Sequence, residues 1–397
     1  MDSPASTIVT ISPPRAVPVT VALGVTQTLA WASSYYIAAI VADPIARELG
    51  ISTNWFFAAV SLALVISGLI GPLVGRRIDL VGGRRVLGVS NLTLAAGLVL
   101  LGSATSVTVL VMAWLVLGIG MGLGLYDAAF GALGRIFGDK ARRPITGITL
   151  FAGFASTVGW PLTSLGLDLV GWRYTCFGWA AAQLLIGLPL NLYFLPTVTR
   201  APAAAGVSAM KPQIPIDRTM LLLAFAFAAA WTVAGAMGAH LPRILEAAGA
   251  TRTEALAAGA LFGPAQVGAR LLEAGFLSRY HPIVSARIAS IAHPIGAALF
   301  GLFGGAAAGV FAICHGAGNG IVTIARGTLP LAIYGPVNYG YRLGVLGAPS
   351  RVAQAAAPLA FGLMIERWGA GVLYVTSALS LLALLALLLV KERGRSG

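Results

Sequence analysis

Residues 55–87 read WFFAAVSLALVISGLIGPLVGRRIDLVGGRRVL. Up to Gly75 the stretch is apolar over about 20 residues, enough to cross roughly 30 Å of hydrocarbon as a helix. From Arg76 it turns abruptly into arginines, glycines and one aspartate. A membrane span running into a short basic loop is therefore the unit, and the unit recurs. Twelve such apolar runs are expected, near 17–41, 55–75, 86–106, 108–132, 145–167, 173–195, 219–240, 254–278, 284–303, 306–327, 345–365 and 370–390. Composition agrees, with 58% hydrophobic residues, only 10% charged and a mean hydropathy of +0.87. Soluble domains carry about a quarter charged residues, so a water-soluble fold is excluded. The alternating short segments of a barrel are missing, which leaves helices as the way to satisfy backbone groups in lipid. The first run follows a tail with Pro13, Pro14 and Arg15, shows no cleavage site of the signal-peptide kind, and is read as a retained span.

The net charge of +13 orients the chain. With a cytoplasmic N-terminus, 20 of the 26 basic residues fall in inside segments: Arg76, Arg77, Arg84 and Arg85 after span 2, Arg135 to Arg143 after span 4, and Arg326, Arg342 and Arg351 around spans 10 and 11 among them. Five fall outside and Arg270 lies within a span. This asymmetry is the positive-inside pattern; it predicts an inner (plasma) membrane protein with both termini cytoplasmic and an even number of spans, and it removes nucleic acid as the explanation of the charge. Cys176 and Cys314 both fall inside spans, far apart, so no disulfide framework is expected.

Two parallel halves are visible as internal similarity. Gly71-Pro72-Leu-Val-Gly-Arg76 is echoed by Gly263-Pro264 through Arg270 at an offset of 192, and Gly166 through Arg173 by Gly362 through Gly369 at an offset of 196. The expected organisation is a six-helix half over 1–195, a Pro/Ala-rich cytoplasmic linker over 196–216, and a second six-helix half over 217–397. Such halves form a midplane site that opens alternately to either side.

The loop Gly75-Arg-Arg-Ile-Asp79-Leu-Val-Gly82-Gly83-Arg84-Arg85-Val-Leu87 resembles the signature loop of the major facilitator superfamily, with Gly, then Asp four residues on, then Gly, a basic pair and Leu. Arg77 stands where that family usually has an apolar residue, and Leu80 where it has a basic one. Gly75 permits close helix contact, Gly82 permits a tight turn, and Asp79 can accept hydrogen bonds from Arg84 or from a neighbouring helix N-terminus. The resemblance extends over nearly the whole chain and includes Asp43-Pro44-Ile45-Ala46, Gly171-Trp172-Arg173 and Tyr126-Asp127-Ala-Ala-Phe130. It implies a twelve-helix fold, a functional monomer, and a cytoplasmic lock made by Gly75, Asp79, Gly82, Arg84 and Arg85. Span 5, from Gly153 to Gly166 with Trp160 and Pro161, is similar in its Gly and Pro placement to a motif of antiporters. Trp114 occupies the place of an arginine found in many drug/proton antiporters of the superfamily.

Polar groups within spans point to the transport path, because each is costly in hydrocarbon. Gln27, Trp31, Ser34 and Tyr35 share one face of span 1; Gln266, Arg270 and Glu273 one face of span 8; His315, Asn319 and Arg326 one face of span 10. Span 4 adds Tyr126 and Asp127. Arg270 and Glu273, at i and i+3, either pair with each other or serve as an anion site and a protonatable group. Asp127 and His315 each read either as coupling groups or as helix-to-helix hydrogen-bonding groups. No GxxxxGK[ST] loop is present, and neither a nucleotide, a cofactor nor a metal is expected. The function expected is secondary transport of a small organic solute, proton-coupled, with export slightly ahead of uptake of a carboxylate; drug or metalloid efflux is a further alternative. The partners are then the solute, a proton and the lipid bilayer. A membrane-embedded enzyme or a transport-dead receptor is the reading from another class.

Overall fold

The computed structural model describes residues 16–197 and 214–390, so most of the expected linker and both tails lie outside the described residues. Helix α1 (Ala16–Trp31) passes through a π-turn at Ala32–Tyr36 into α2 (Ala38–Glu48). Then come α3 (Thr53–Val81), α4 (Gly83–Gly102), α5 (Val107–Gly124), α6 (Tyr126–Phe137), α7 (Arg142–Ala152), α8 (Ala155–Ala182), a second π-turn at Gln183–Gly187 and α9 (Leu188–Phe194). The later part comprises α10 (Arg218–Ala247), α11 (Arg252–Gly275), α12 (Pro282–Phe303), α13 (Ala308–Tyr334), α14 (Tyr339–Trp368) and α15 (Val372–Leu389). Eight runs are long and apolar enough to span a membrane; that of 107–194 holds three crossings and those of 282–334 and 339–389 two each, giving the twelve expected. Among the described residues there is no strand.

Glycine ends the helices where the chain must reverse. Gly50 and Gly249, Gly138 and Gly335, and Gly171 and Gly369 all have positive φ, at separations of 199, 197 and 198 residues. A left-handed residue after a helix is accessible to glycine at no steric cost, so the repeat is written into the turns of the two halves. Gly171 (φ 79) divides α8 into the end of crossing 5 and the start of crossing 6.

Large side chains such as Leu73, Leu169, Leu185, Leu302 and Leu359 point outward and are exposed. In water they would be an aggregation surface; here they face lipid. Trp55, Tyr193, Trp368 and Tyr374 are exposed near helix ends, the place of an interfacial aromatic belt. One apolar core runs from Val19 to Leu195 and takes in Leu331, Tyr339, Leu343 and Ala355 from the second half. Others, around Val233, Phe311 and Phe361, and around Phe227, Leu329 and Leu387, hold the second half together.

The halves meet along α3 and α14. Gly68, Gly71 and Gly75 on α3 face Arg351, Gly344 and Gly340 on α14; a Cβ on Gly75 would strike the Gly340 carbonyl, and one on Gly344 the Gly71 carbonyl. These positions recur at three- and four-residue steps, one stripe on each helix. They lie at the end of the molecule that carries the turns at Gly82, Gly138 and Gly335, the arginine-rich end. There α7 also packs on α11 and α13, whereas its continuation, the first part of α8, lies against the π-turn of its own half, with Gly159 against Ala32 and Trp160 bonded to the Tyr36 carbonyl. Phe154, Val158 and Trp160 of that segment are exposed. The halves therefore clasp at the arginine-rich end and part toward the other.

Candidate functional site

Span 4, expected as one continuous helix, is broken. Leu125 is extended (ψ −171) between α5 and α6, and the carbonyl of Gly124 is left without a helical partner. Gln27 supplies one: its Nε2 donates to that carbonyl at 2.6 Å, while Ser90 donates to Gly120 O at 2.8 Å. The break starts a new helix in mid-protein, with Tyr126 and Asp127 in its first turn, where exposed N–H groups favour a carboxylate.

Asp127 meets Arg326 of α13 across the interface, Nη2 to Oδ2 2.6 Å. The two positions are 199 residues apart, the spacing of Gly50 and Gly249, so equivalent helices of the two halves present opposite charges to each other. Gly347 lets α14 pass beside the pair: a Cβ there would sit 2.8 Å from the guanidinium and 3.0 Å from the carboxylate. One turn further along α14 is Arg351, only 3% exposed. Its Cζ lies 5.4 Å from the ring of Trp31 and 5.9 Å from that of Trp231, and the Arg326 Cζ lies 5.2 Å from Trp231 as well. Trp31 and Trp231 are again counterparts, 200 residues apart. Arg351 donates to Gln354 Oε1 at 3.2 Å. Among the described residues no carboxylate comes within ion-pair distance of it. Tyr35 accepts from Gln354 at 3.4 Å, and Tyr126 stands 5.1 Å from Trp31 and stacks on Phe130. Two arginines, one aspartate and two tryptophans thus form a buried cluster with one positive charge in excess, at the seam between the halves.

Below it, a set of bonds ties the halves at the arginine-rich end. Asp79 accepts from the N–H groups of Gly340 (2.9 Å) and Tyr341 (2.7 Å), capping the first turn of α14 from across the interface. Of the two partners considered for Asp79, the helix N-terminus is the one found; Arg84 donates instead to Thr197 at 2.7 Å. Gly82 (φ 82) makes the turn between α3 and α4. The Tyr339 hydroxyl donates to the Gly327 carbonyl. Arg142 of α7 reaches Glu273 at 3.3 Å and the carbonyls of Tyr280 (2.7 Å) and Leu277 (3.3 Å).

Arg270 and Glu273 do not pair with each other. Arg270 donates to Thr149 O at 2.9 Å, with longer bonds to Gly320 O and Gln266 Oε1, and Glu273, fully buried, takes Arg142. The neighbouring α7 offers both partners at the seam, and this interface outcompetes an i, i+3 contact on one helix. Ser34 is fully buried and donates to its own helix at Ala30 O. His315 looks into the second half, 3.1 Å from His293, and shares a small cavity with Asn319. Nor are Arg326, Arg342 and Arg351 inside-loop residues: all three are buried within α13 and α14. Arg342 lies 3.9 Å from the ring of Tyr334. Trp231 and His293 were not singled out from the sequence; the repeat would have found Trp231 by its spacing from Trp31. Among the described residues no group of three metal-ligating side chains occurs.

Two pseudo-symmetric helical halves, clasped at one end around a buried charged cluster, define a membrane carrier. The chain belongs to the Major Facilitator Superfamily, whose family model matches residues 23–325. It is similar in fold to the human organic anion transporter MFSD10 (TETRAN), with a TM-score of 0.69 over 94% of this chain and 100% of that one, at 16% identity. It is also 34% identical over 162 residues to the mouse solute carrier family 2, facilitated glucose transporter member 10. That match covers 39% of this chain and 28% of the mouse protein's length.

Proposed function

We propose that this protein is a secondary transporter that carries a small organic anion across the plasma membrane together with a proton. The observation that carries the reading is Arg351, a buried guanidinium 5.4 and 5.9 Å from two indole rings and with no carboxylate in ion-pair contact among the described residues. An unneutralised buried cation is costly, and an anion arriving in the seam relieves that cost while gaining bidentate hydrogen bonds. A neutral drug or sugar would leave it unrelieved, which sets uptake of an anion ahead of export of a neutral compound. The substrate class is also the one in the name of the human transporter of similar fold. The arginine-rich end faces the cytoplasm in this reading, both termini with it, and the site at Arg351 is reached from the outer side. The Asp79, Arg142–Glu273 and glycine contacts act as the lock that opens when the site turns inward, and the protein works as a monomer.

Uptake and efflux of a panel of carboxylates, sulfonates and sugars in inside-out vesicles tests this, with and without an imposed pH gradient. Wild type is compared with Arg351→Gln, Asp127→Asn, Arg270→Gln and Glu273→Gln. Anion transport driven by the gradient and lost in Arg351→Gln is the expected result. Selective movement of sugars, unaffected by Arg351→Gln, would overturn the assignment.

A further inference from the structure

Outside the seam, the second half buries a hydrogen-bonded pair of histidines. His293 on α12 and His315 on α13, each 3% exposed, approach Nδ1 to Nδ1 at 3.1 Å, and His293 Nε2 lies 2.9 Å from the hydroxyl of Thr376 on α15. Proton positions follow from counting. The Thr376 hydroxyl has one hydrogen and gives it to Leu373 O at 3.1 Å, so it accepts from His293 Nε2–H. The neutral His293 ring then offers a lone pair at Nδ1, and His315 Nδ1 must carry the hydrogen between the rings. That leaves His315 Nε2 as a bare acceptor, buried and with no partner. Running the chain the other way forfeits the Thr376–Leu373 bond and leaves an orphaned donor at the same atom.

A proton added at Nε2 breaks no hydrogen bond, and the N–H it creates needs an acceptor, for which the small cavity that His315 lines with Asn319, Ser290 and Ser380 has room for one water; the charge is shared down the chain toward Thr376. Phe262 of α11 stacks on His315 with centroids 5.4 Å apart, and Phe311 lies nearly parallel to it at 6.2 Å. From α10 come Ala230 and Val233, and from α12 and α15 the hydroxyls of Ser290 and Ser380, which line the same small cavity. The ionisable groups of the packed helices stand off along their axes. Arg270 and Glu273 are about 12–16 Å beyond Phe262 on α11, Glu254 about 12 Å before it, Arg287 about 9 Å from His293 on α12, and Arg326 about 16 Å from His315 on α13, at about 1.5 Å per residue. Among the described residues the one ionisable side chain of α15 is Tyr374, which is exposed, and on α10 His240, Arg243 and Glu246 lie about 10–20 Å beyond Val233 and Arg218 about 18 Å before Ala230. No carboxylate faces the pair.

We propose that His315, oriented by His293 and Thr376, is the proton-binding site of this transporter, loading and releasing one proton at Nε2 at a place separate from the anion site. This rests on the proton-coupled reading given above. Because α13 also carries Arg326, a charge placed in this dry pocket and the ion pair at the seam bias the same helix.

Two measurements on the full chain decide it. In nanodiscs, nitrogen NMR of labelled histidine between pH 8 and 5 is expected to show His315 with hydrogen on Nδ1 and none on Nε2 at high pH. One proton is then gained at Nε2, a signal absent in His315→Gln and displaced in midpoint by Thr376→Val. An Nε2 that stays unprotonated throughout would overturn the proposal. In proteoliposomes the probe is radiolabelled benzenesulfonate, an anion that does not cross lipid as a neutral acid. One proton per anion and a gradient of one pH unit drive about tenfold accumulation. His315→Gln is expected to bring that ratio to about one, and undiminished accumulation in this variant would overturn the proposal. Wild-type vesicles that take up no sulfonate would count against the anion reading, while the NMR titration still decides the histidine.

Discussion

A guanidinium lying over two indole rings is recognised by shape as well as charge, so lysine is no equivalent at Arg351. Arg351→Lys is expected to raise KM for transported anions by roughly tenfold, the scale of a lost charged hydrogen bond, and Arg351→Gln to abolish saturable uptake; initial rates against concentration read both. Arg270 should behave differently, because its N–H groups are spent on Thr149, Gln266 and Gly320. Its loss is expected mainly as lower thermal stability. Gln27 lies at the residue scale too: Gln27→Leu orphans the Gly124 carbonyl, for about 1–3 kcal/mol, seen as a fall in Tm of the purified protein in detergent with little change in substrate selectivity. One sequence could not separate these roles. Arg270 and Arg351 are both lone arginines within apolar runs, and only the partners brought by distant helices reveal that one is satisfied and the other is left for a ligand.

Among the elements, the existence and number of the helices were legible, because each apolar run has to be helical in lipid. Their ends and breaks were less so. Helix α14 begins at Tyr339, ahead of the apolar run at 345, because Asp79 caps it from the other half. The break at Leu125 has no proline to announce it and depends on Gln27, almost a hundred residues away. The crossing of α3 and α14 makes its own prediction. Gly71→Leu and Gly344→Leu cannot bring the backbones together, since even a Cβ on Gly344 meets the Gly71 carbonyl. Both variants are expected to fold yet rest open at the arginine-rich end, which would show as fast labelling of a cysteine placed at Val74 compared with slow labelling in the parent. Equal labelling rates would mean that the stripe packs without locking.

Taken whole, the molecule stands clasped at one end, and the clasp is divided among Asp79, Glu273 and Asp127, each joined to the opposite half. Spin labels at Lys140 and Arg279, exposed on opposite halves at that end, are expected to report mainly a short separation. Glu273→Gln, by weakening the tie to Arg142 by about 1–2 kcal/mol, should raise the open-to-closed ratio roughly five- to thirtyfold; an unchanged distance distribution would remove that pair from the lock. The two-part plan was legible from the sequence through its repeated Gly-Pro and Gly-Trp segments, but the matched partners at its centre were not, since Asp127 and Arg326 differ in kind and resemble each other only in place. That difference bears on ancestry. If the two halves descend from one duplicated segment, the copies began with the same residue at both positions, and no pair of identical residues can make the 2.6 Å ion pair that now sits there. The closed state held by this bond therefore became accessible only once the two copies had diverged to opposite charges.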